Sequence, residues 1–76
     1  MSKPEAILNA LGGAGNIVEV EPCITRLRVE VRDPAAVGER DLKTAGAFGV
    51  VRAGRVVQVV VGPEADDLAD QISRLL

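Results

Sequence analysis

The stretch IVEVEPCITRLRVEVR, residues 17–32, decides the fold. Its second half, TRLRVEVR, alternates apolar and polar residues without a break. That is the period of a half-buried β-strand, with Leu27, Val29 and Val31 on one face and Arg26, Arg28, Glu30 and Arg32 on the other. The first half, IVEVE, is a shorter alternating run that also reads as a strand. Pro22 and Cys23 lie between the two, at a turn or strand end, because proline cannot donate a ladder hydrogen bond. Two strands this close in sequence form an antiparallel hairpin.

The pattern extends outward on both sides. Ser2 with Glu5 makes a capping box, and Pro4 is tolerated in a first helical turn. Ala6, Ile7, Ala10 and Leu11 then recur at helical spacing, giving a first helix over about residues 3–11 that ends at Gly12-Gly13. Downstream, Asp33-Pro34 breaks the second strand. A second helix is predicted over roughly 38–45, running through Leu42 to a stop at Gly46. A third strand starts at Gly49-Val50-Val51, and an Ala53-Gly54 turn leads into VVQVVVG, apolar enough to be a central strand. Pro63 opens the last helix, with Ala65, Leu68, Ala69, Ile72 and Leu76 as its core stripe. The expectation is an α+β domain of order α-β-β-α-β-β-α, a four-stranded antiparallel sheet with three helices on one face.

Composition narrows the function. The chain has 76 residues, of which 47% are apolar, and only one of these, Phe48, is aromatic. That is one small domain, residues 1–76, with an aliphatic core. A net charge of −2 and the missing aromatic platforms argue against nucleic-acid binding. No apolar run approaches the ~20 residues that span a bilayer, and the N-terminus lacks a secretory signal. One unpaired cysteine and no export signal point to a reducing cytoplasm. There is no histidine, so a Ser-His or Cys-His nucleophile, a His-ligated metal and a phosphohistidine are all unavailable from this chain.

Cys23 therefore carries the interest. A lone cysteine in a small domain is most often a buried, inert hydrophobe. Here the Pro22 turn exposes backbone N–H groups of Ile24, Thr25 and Arg26, which can form an anion-binding concavity. Arg26 and Arg28 add positive charge, which favours the nucleophilic thiolate and can hold a phosphate. Spacing excludes rival chemistries. Position 26 is arginine, so there is no C-x-x-C redox or zinc pair. Position 29 is valine, so there is no C-x-x-x-x-x-R phosphatase loop. The competing reading of Arg26 and Arg28 is a solvated strand face with Glu30 paired across it. Asp66, Asp67 and Asp70 resemble a metal cluster at first sight, but Glu64, Asp66 and Asp67 read as acids in the first turns of a helix, where the dipole favours negative charge. No metal or cofactor is expected. The glycines of LGGAGN follow a helix and lack the lysine of a P-loop, so they mark a helix stop.

The segments ILNALGGAGNI, CITRLRVEVRD, LKTAGAFGVV and QVVVG, in that order, span residues 7–62, about three quarters of the chain. They resemble the IIB domain of the glucose and N-acetylglucosamine class of the bacterial phosphoenolpyruvate:sugar phosphotransferase system. C-I-T-R-L-R is the specific element. One departure is Gly38, which stands where the family usually has an acidic residue, here supplied by Glu39. The resemblance implies a phosphotransferase component: a cytoplasmic phosphoprotein in sugar transport, at the inner face of the membrane. Cys23 would take a phosphoryl group from a phosphohistidine of the IIA protein and pass it to a sugar bound by the membrane permease IIC. Thr25, Arg26 and Arg28 would support the phosphocysteine. Sugar is expected to be met only through IIC, and the domain to be a monomer. The chain has no IIC-type membrane segments, so it is expected to be either a free-standing IIB protein or one domain of a longer one. The alternative is a IIB-like regulatory or interaction module that no longer transfers phosphate.

Overall fold

Residues 26–31 form the strand that the alternation predicts, and it lies inside the sheet. In this computed structural model, which describes residues 1–76, the elements are α1 (Lys3–Ala10), β1 (Ile17–Cys23), β2 (Arg26–Val31), α2 (Glu39–Thr44), β3 (Gly49–Ala53), β4 (Val56–Val60) and α3 (Ala65–Ser73). Short 3-10 turns occur at Ala14–Asn16, Pro34–Ala36 and Gly62–Glu64. The strands make one antiparallel sheet in the order β1-β2-β4-β3. The α+β class and the α-β-β-α-β-β-α order are as expected, and VVQVVVG does supply a central strand.

The core is one cluster on one side of the sheet. Leu27, Val29 and Val31 from β2 and Val57 and Val59 from β4 are fully buried. They meet Ile7 and Leu11 from the α1 region, Leu42 from α2, and Ala65, Leu68 and Ile72 from α3. Burying a branched aliphatic side chain contributes about 1.5–3 kcal/mol, and valine-rich strands suit a pleated surface. The other side of the sheet has no helix over it.

The ends of the elements differ from expectation in physically instructive ways. β1 runs two residues further than IVEVE, through Pro22 to Cys23. Proline is tolerated there because β1 is an edge strand with a neighbour on one side only. Thr25 belongs to the turn and Arg32 lies past the end of β2. α1 ends at Ala10, and Leu11 is its cap. α2 begins at Glu39 with Gly38 as its N-cap. A side chain at position 38 would meet Asp41 Oδ2 at 2.7 Å. Pro63 sits in the 3-10 turn, and α3 starts only at Ala65. Leu76 is not in the core stripe: it lies beyond α3 and is 54% exposed.

Two side chains fasten the connections. Asn16, the one buried polar residue, donates from Nδ2 to the carbonyls of Leu11 (2.7 Å) and Asp33 (3.1 Å) and accepts from the Asp33 N–H (2.8 Å). It thereby ties the end of the first helical segment to the turn after β2. Arg52 on β3 donates to the carbonyls of Pro34 and Val37, holding the segment that leads into α2.

Candidate functional site

A two-residue turn, Ile24-Thr25, joins β1 to β2, so Cys23 and Arg26 are direct cross-strand partners. Strand pleating puts such partners on the same face, and the pairings continue that face across the sheet. The first row is Cys23, Arg26, Val60 and Gly49. The second is Glu21, Arg28, Gln58 and Val51, and the third is Glu19, Glu30, Val56 and Ala53. Cys23 is exposed at the lip of the uncovered face. Arg26 stands beside it, and Arg28 one row down on the same side.

The two arginines are held differently. Arg26 Nη1 donates to Gln58 Oε1 at 3.1 Å, a neutral partner that orients the guanidinium without cancelling its charge. Arg28 Nη1 lies 3.4 Å from Glu21 Oε1, a long and exposed ion pair of little strength. The pairing with Glu30 that the competing reading invokes is not formed. Glu30 instead faces Glu19, its cross-strand partner.

The turn itself is unusual. Ile24 has φ 59°, and it is the only non-glycine residue in the chain with positive φ. Its side chain is 89% exposed. The Thr25 carbonyl accepts from the N–H groups of both Val61 and Gly62, each at 3.0 Å, which anchors the turn to the junction between β4 and α3. The N–H groups of Ile24 and Thr25 donate to no protein group and are free for a ligand. An exposed sulfur followed in the chain by two residues whose N–H groups have no protein acceptor, with an unneutralised guanidinium on its cross-strand partner, can receive and hold a tetrahedral oxyanion.

Cys23, Ile24, Thr25, Arg26 and Arg28 are thus brought together at one end of the open face. The acids of α3 lie elsewhere. Asp66 and Asp67 occupy its first turn, and Asp70 pairs with Arg74 at 3.0 Å. Sequence reasoning missed Gln58, although one polar residue inside VVQVVVG was a signal available to find it. It also missed Glu21 as the partner of Arg28, and the Val61 and Gly62 donors, which leave no trace in residue type. Phe48 is 77% exposed, and its ring lies 3.2 Å from where a side chain at Gly62 would begin.

The family model described as "phosphotransferase system, EIIB" matches residues 5–37, a span that contains the turn. The "PTS system N-acetylglucosamine-specific EIIB component" of Streptomyces coelicolor is 55% identical over 75 residues, 99% of this chain and 97% of that protein. The "PTS system glucose-specific EIICBA component" of Staphylococcus carnosus is 41% identical over 73 residues, 96% of this chain but 11% of that much longer protein. Among solved structures, one domain of the PTS system IIabc component from Clostridium difficile matches with a TM-score of 0.73 and 25% identity. That match covers 95% of this chain and 80% of the other.

Proposed function

This chain belongs to the EIIB family of the phosphotransferase system and has a role in sugar phosphotransfer, and we propose that it acts as a phosphocysteine carrier. The Cys23 thiolate attacks the phosphorus of a phosphohistidine on a IIA-type donor. A P–S bond forms, the P–N bond breaks, and the imidazole leaves. In the second step a sugar hydroxyl held by a IIC-type permease attacks the same phosphorus. A P–O bond forms, the thiolate is released, and the hydroxyl proton passes to a base outside this turn. One phosphoryl group moves in each step.

The observation that carries this reading is the exposed sulfur beside two free N–H groups and the charged Arg26, in a chain matched along its whole length by an EIIB relative. Phosphoryl transfer needs mainly positioning and charge stabilisation, which this turn can supply. Phosphocysteine brings about −1.5 to −2 charges by analogy with other phosphorylated side chains. Arg26 meets it with an uncommitted charge, and Arg28 can leave its long contact with Glu21 to join. Two copies of this chemistry, one for each partner, require an acceptor reachable from outside, and a sulfur at the lip of an open sheet is reachable. The N-acetylglucosamine-specific relative suggests that sugar, or glucose, as the final acceptor.

The test is sugar phosphorylation in membranes that contain a IIC permease, with a phosphorylated IIA protein supplied. Wild-type chain should restore phosphorylation of N-acetylglucosamine or glucose, and Cys23→Ala should not. Equal activity of the Cys23→Ala variant would remove Cys23 from the relay. Inactivity of the wild type with a functional donor and permease would favour a regulatory module instead.

A further inference from the structure

The backbone of Ile24 is in a region that β-branched residues avoid. Two substituents on Cβ crowd the following peptide at positive φ, where glycine and asparagine sit at much lower cost. Its side chain offsets none of that cost by burial, since it is 89% exposed. The conformation is held from outside. On one side the Cys23–Arg26 pair closes the hairpin, and Arg26 is also paired with Val60. On the other, the two N–H groups of Val61 and Gly62 converge on the Thr25 carbonyl. Gly62 adopts φ 81° to bring its N–H there. The result is a turn whose one engaged carbonyl is tied toward β4 and whose two N–H groups stay unpartnered.

We infer that Ile24 is a positioning residue: its strained backbone is retained because it keeps the Ile24 and Thr25 N–H groups beside Cys23 Sγ, ready for the phosphate oxygens. The inference rests on the phosphocysteine reading and extends it. Local strain over-determined by its surroundings is a recurrent feature of sites whose donors are set in place before the ligand arrives. A β-branched residue serves this purpose better than glycine, because once the surroundings force the turn it has few alternative conformations to visit. The Val61-Gly62 junction is the part of the fold that does the forcing.

The test compares wild type, Ile24→Gly and Ile24→Asn as full chains, with phosphorylated IIA as the donor. Both variants accept positive φ more easily than isoleucine, so both should unfold at higher temperature than wild type. Ile24→Gly should accept the phosphoryl group about fivefold more slowly, which corresponds to ~1 kcal/mol. It should also lose the downfield amide-proton shifts of residues 24 and 25 that phosphorylation produces in wild type. Ile24→Asn, which holds a left-handed backbone more firmly than glycine, should keep those shifts and stay within about twofold of the wild-type rate. Ile24→Gly matching wild type in both rate and shifts would overturn the inference. So would Ile24→Asn transferring as slowly as Ile24→Gly with the shifts intact, because the isoleucine side chain would then be what matters. If wild type accepts no phosphoryl group, the functional reading itself falls, and that result is separate from any difference among variants.

Discussion

Arg26 and Arg28 stand on the same side of β2, yet one leans on an amide and the other on a carboxylate. Accepting a phosphoryl group needs chiefly the sulfur and the turn's N–H groups, which neither arginine supplies. Donating to a sugar hydroxyl asks more of the planar guanidinium forks, which lysine lacks while keeping the charge. Arg26→Lys and Arg28→Lys should therefore be phosphorylated at Cys23 but donate to sugar at least about tenfold more slowly, ~1.4 kcal/mol in the barrier. The two half-reactions, measured separately, check this; equal loss in both would place the arginines' main role at the sulfur. Asn16 gives a prediction of a different kind. Its three hydrogen bonds are buried or partly buried, so Asn16→Ala should lower stability by about 2–3 kcal/mol in a urea titration. It should leave phosphorylation intact, because it is remote from the turn. At this scale the sequence was legible in placement: Cys23 is exposed at a turn, with Arg26 and Arg28 on one side of β2, as the alternation predicts. Gln58, Asn16 and the Thr25 carbonyl were not, because what they do depends on which strand or turn faces them.

Elements were legible wherever a period or a cap marks them. TRLRVEVR announced β2 by alternation, and Ser2 with Glu5 announced the start of α1. The capping box is formed, with the Ser2 hydroxyl accepting from the Glu5 N–H and Glu5 Oε1 accepting from the Ser2 N–H, each at 3.3 Å. The hydrogen bonds from the Ser2 side chain, then its backbone, hold the Glu5 carboxyl below its ordinary range. A depressed carboxylate stabilises the fold above its unfolded-state value, and that contribution disappears as pH falls through the folded one. Wild type should thus lose its stability advantage over Glu5→Ala on acidification below the ordinary carboxylate range, whereas Glu5→Gln should show no such pH-dependent change. Thermal unfolding of the three chains across that range checks the sign. Element ends were read less well, for specific reasons. Pro22 stops a central strand but not an edge strand, and strand order is not written in the local sequence. Leu76 has the right spacing for the α3 stripe, but the helix ends at Ser73 before the spacing can be used.

For the whole molecule, one valine-rich core under one sheet face leaves the opposite face free, and the Cys23 turn lies at its end. The class, the order of elements and the helices-on-one-face arrangement could be read from periodicity, since each apolar stripe has only one partner layer to meet. The strand order β1-β2-β4-β3 and the open face that assembles Cys23, Arg26 and Arg28 with Gln58 emerge only from long-range pairing. A core this closely packed should transmit little of a charge added at its rim. Phosphorylation should therefore move amide signals of residues 22–28 and of the adjoining 58–62 segment, and leave those of α3 beyond Leu68 in place; widespread shifts in α3 would contradict a rigid carrier. The central claim, that Cys23 is the acceptor, is tested most directly by intact-mass measurement after incubation with phosphorylated IIA, followed by peptide mapping. The expected result is a single added phosphoryl group on the peptide containing Cys23, and none on a folded Cys23→Ala chain. A phosphoryl group on any other residue, or full phosphorylation of Cys23→Ala, would contradict it.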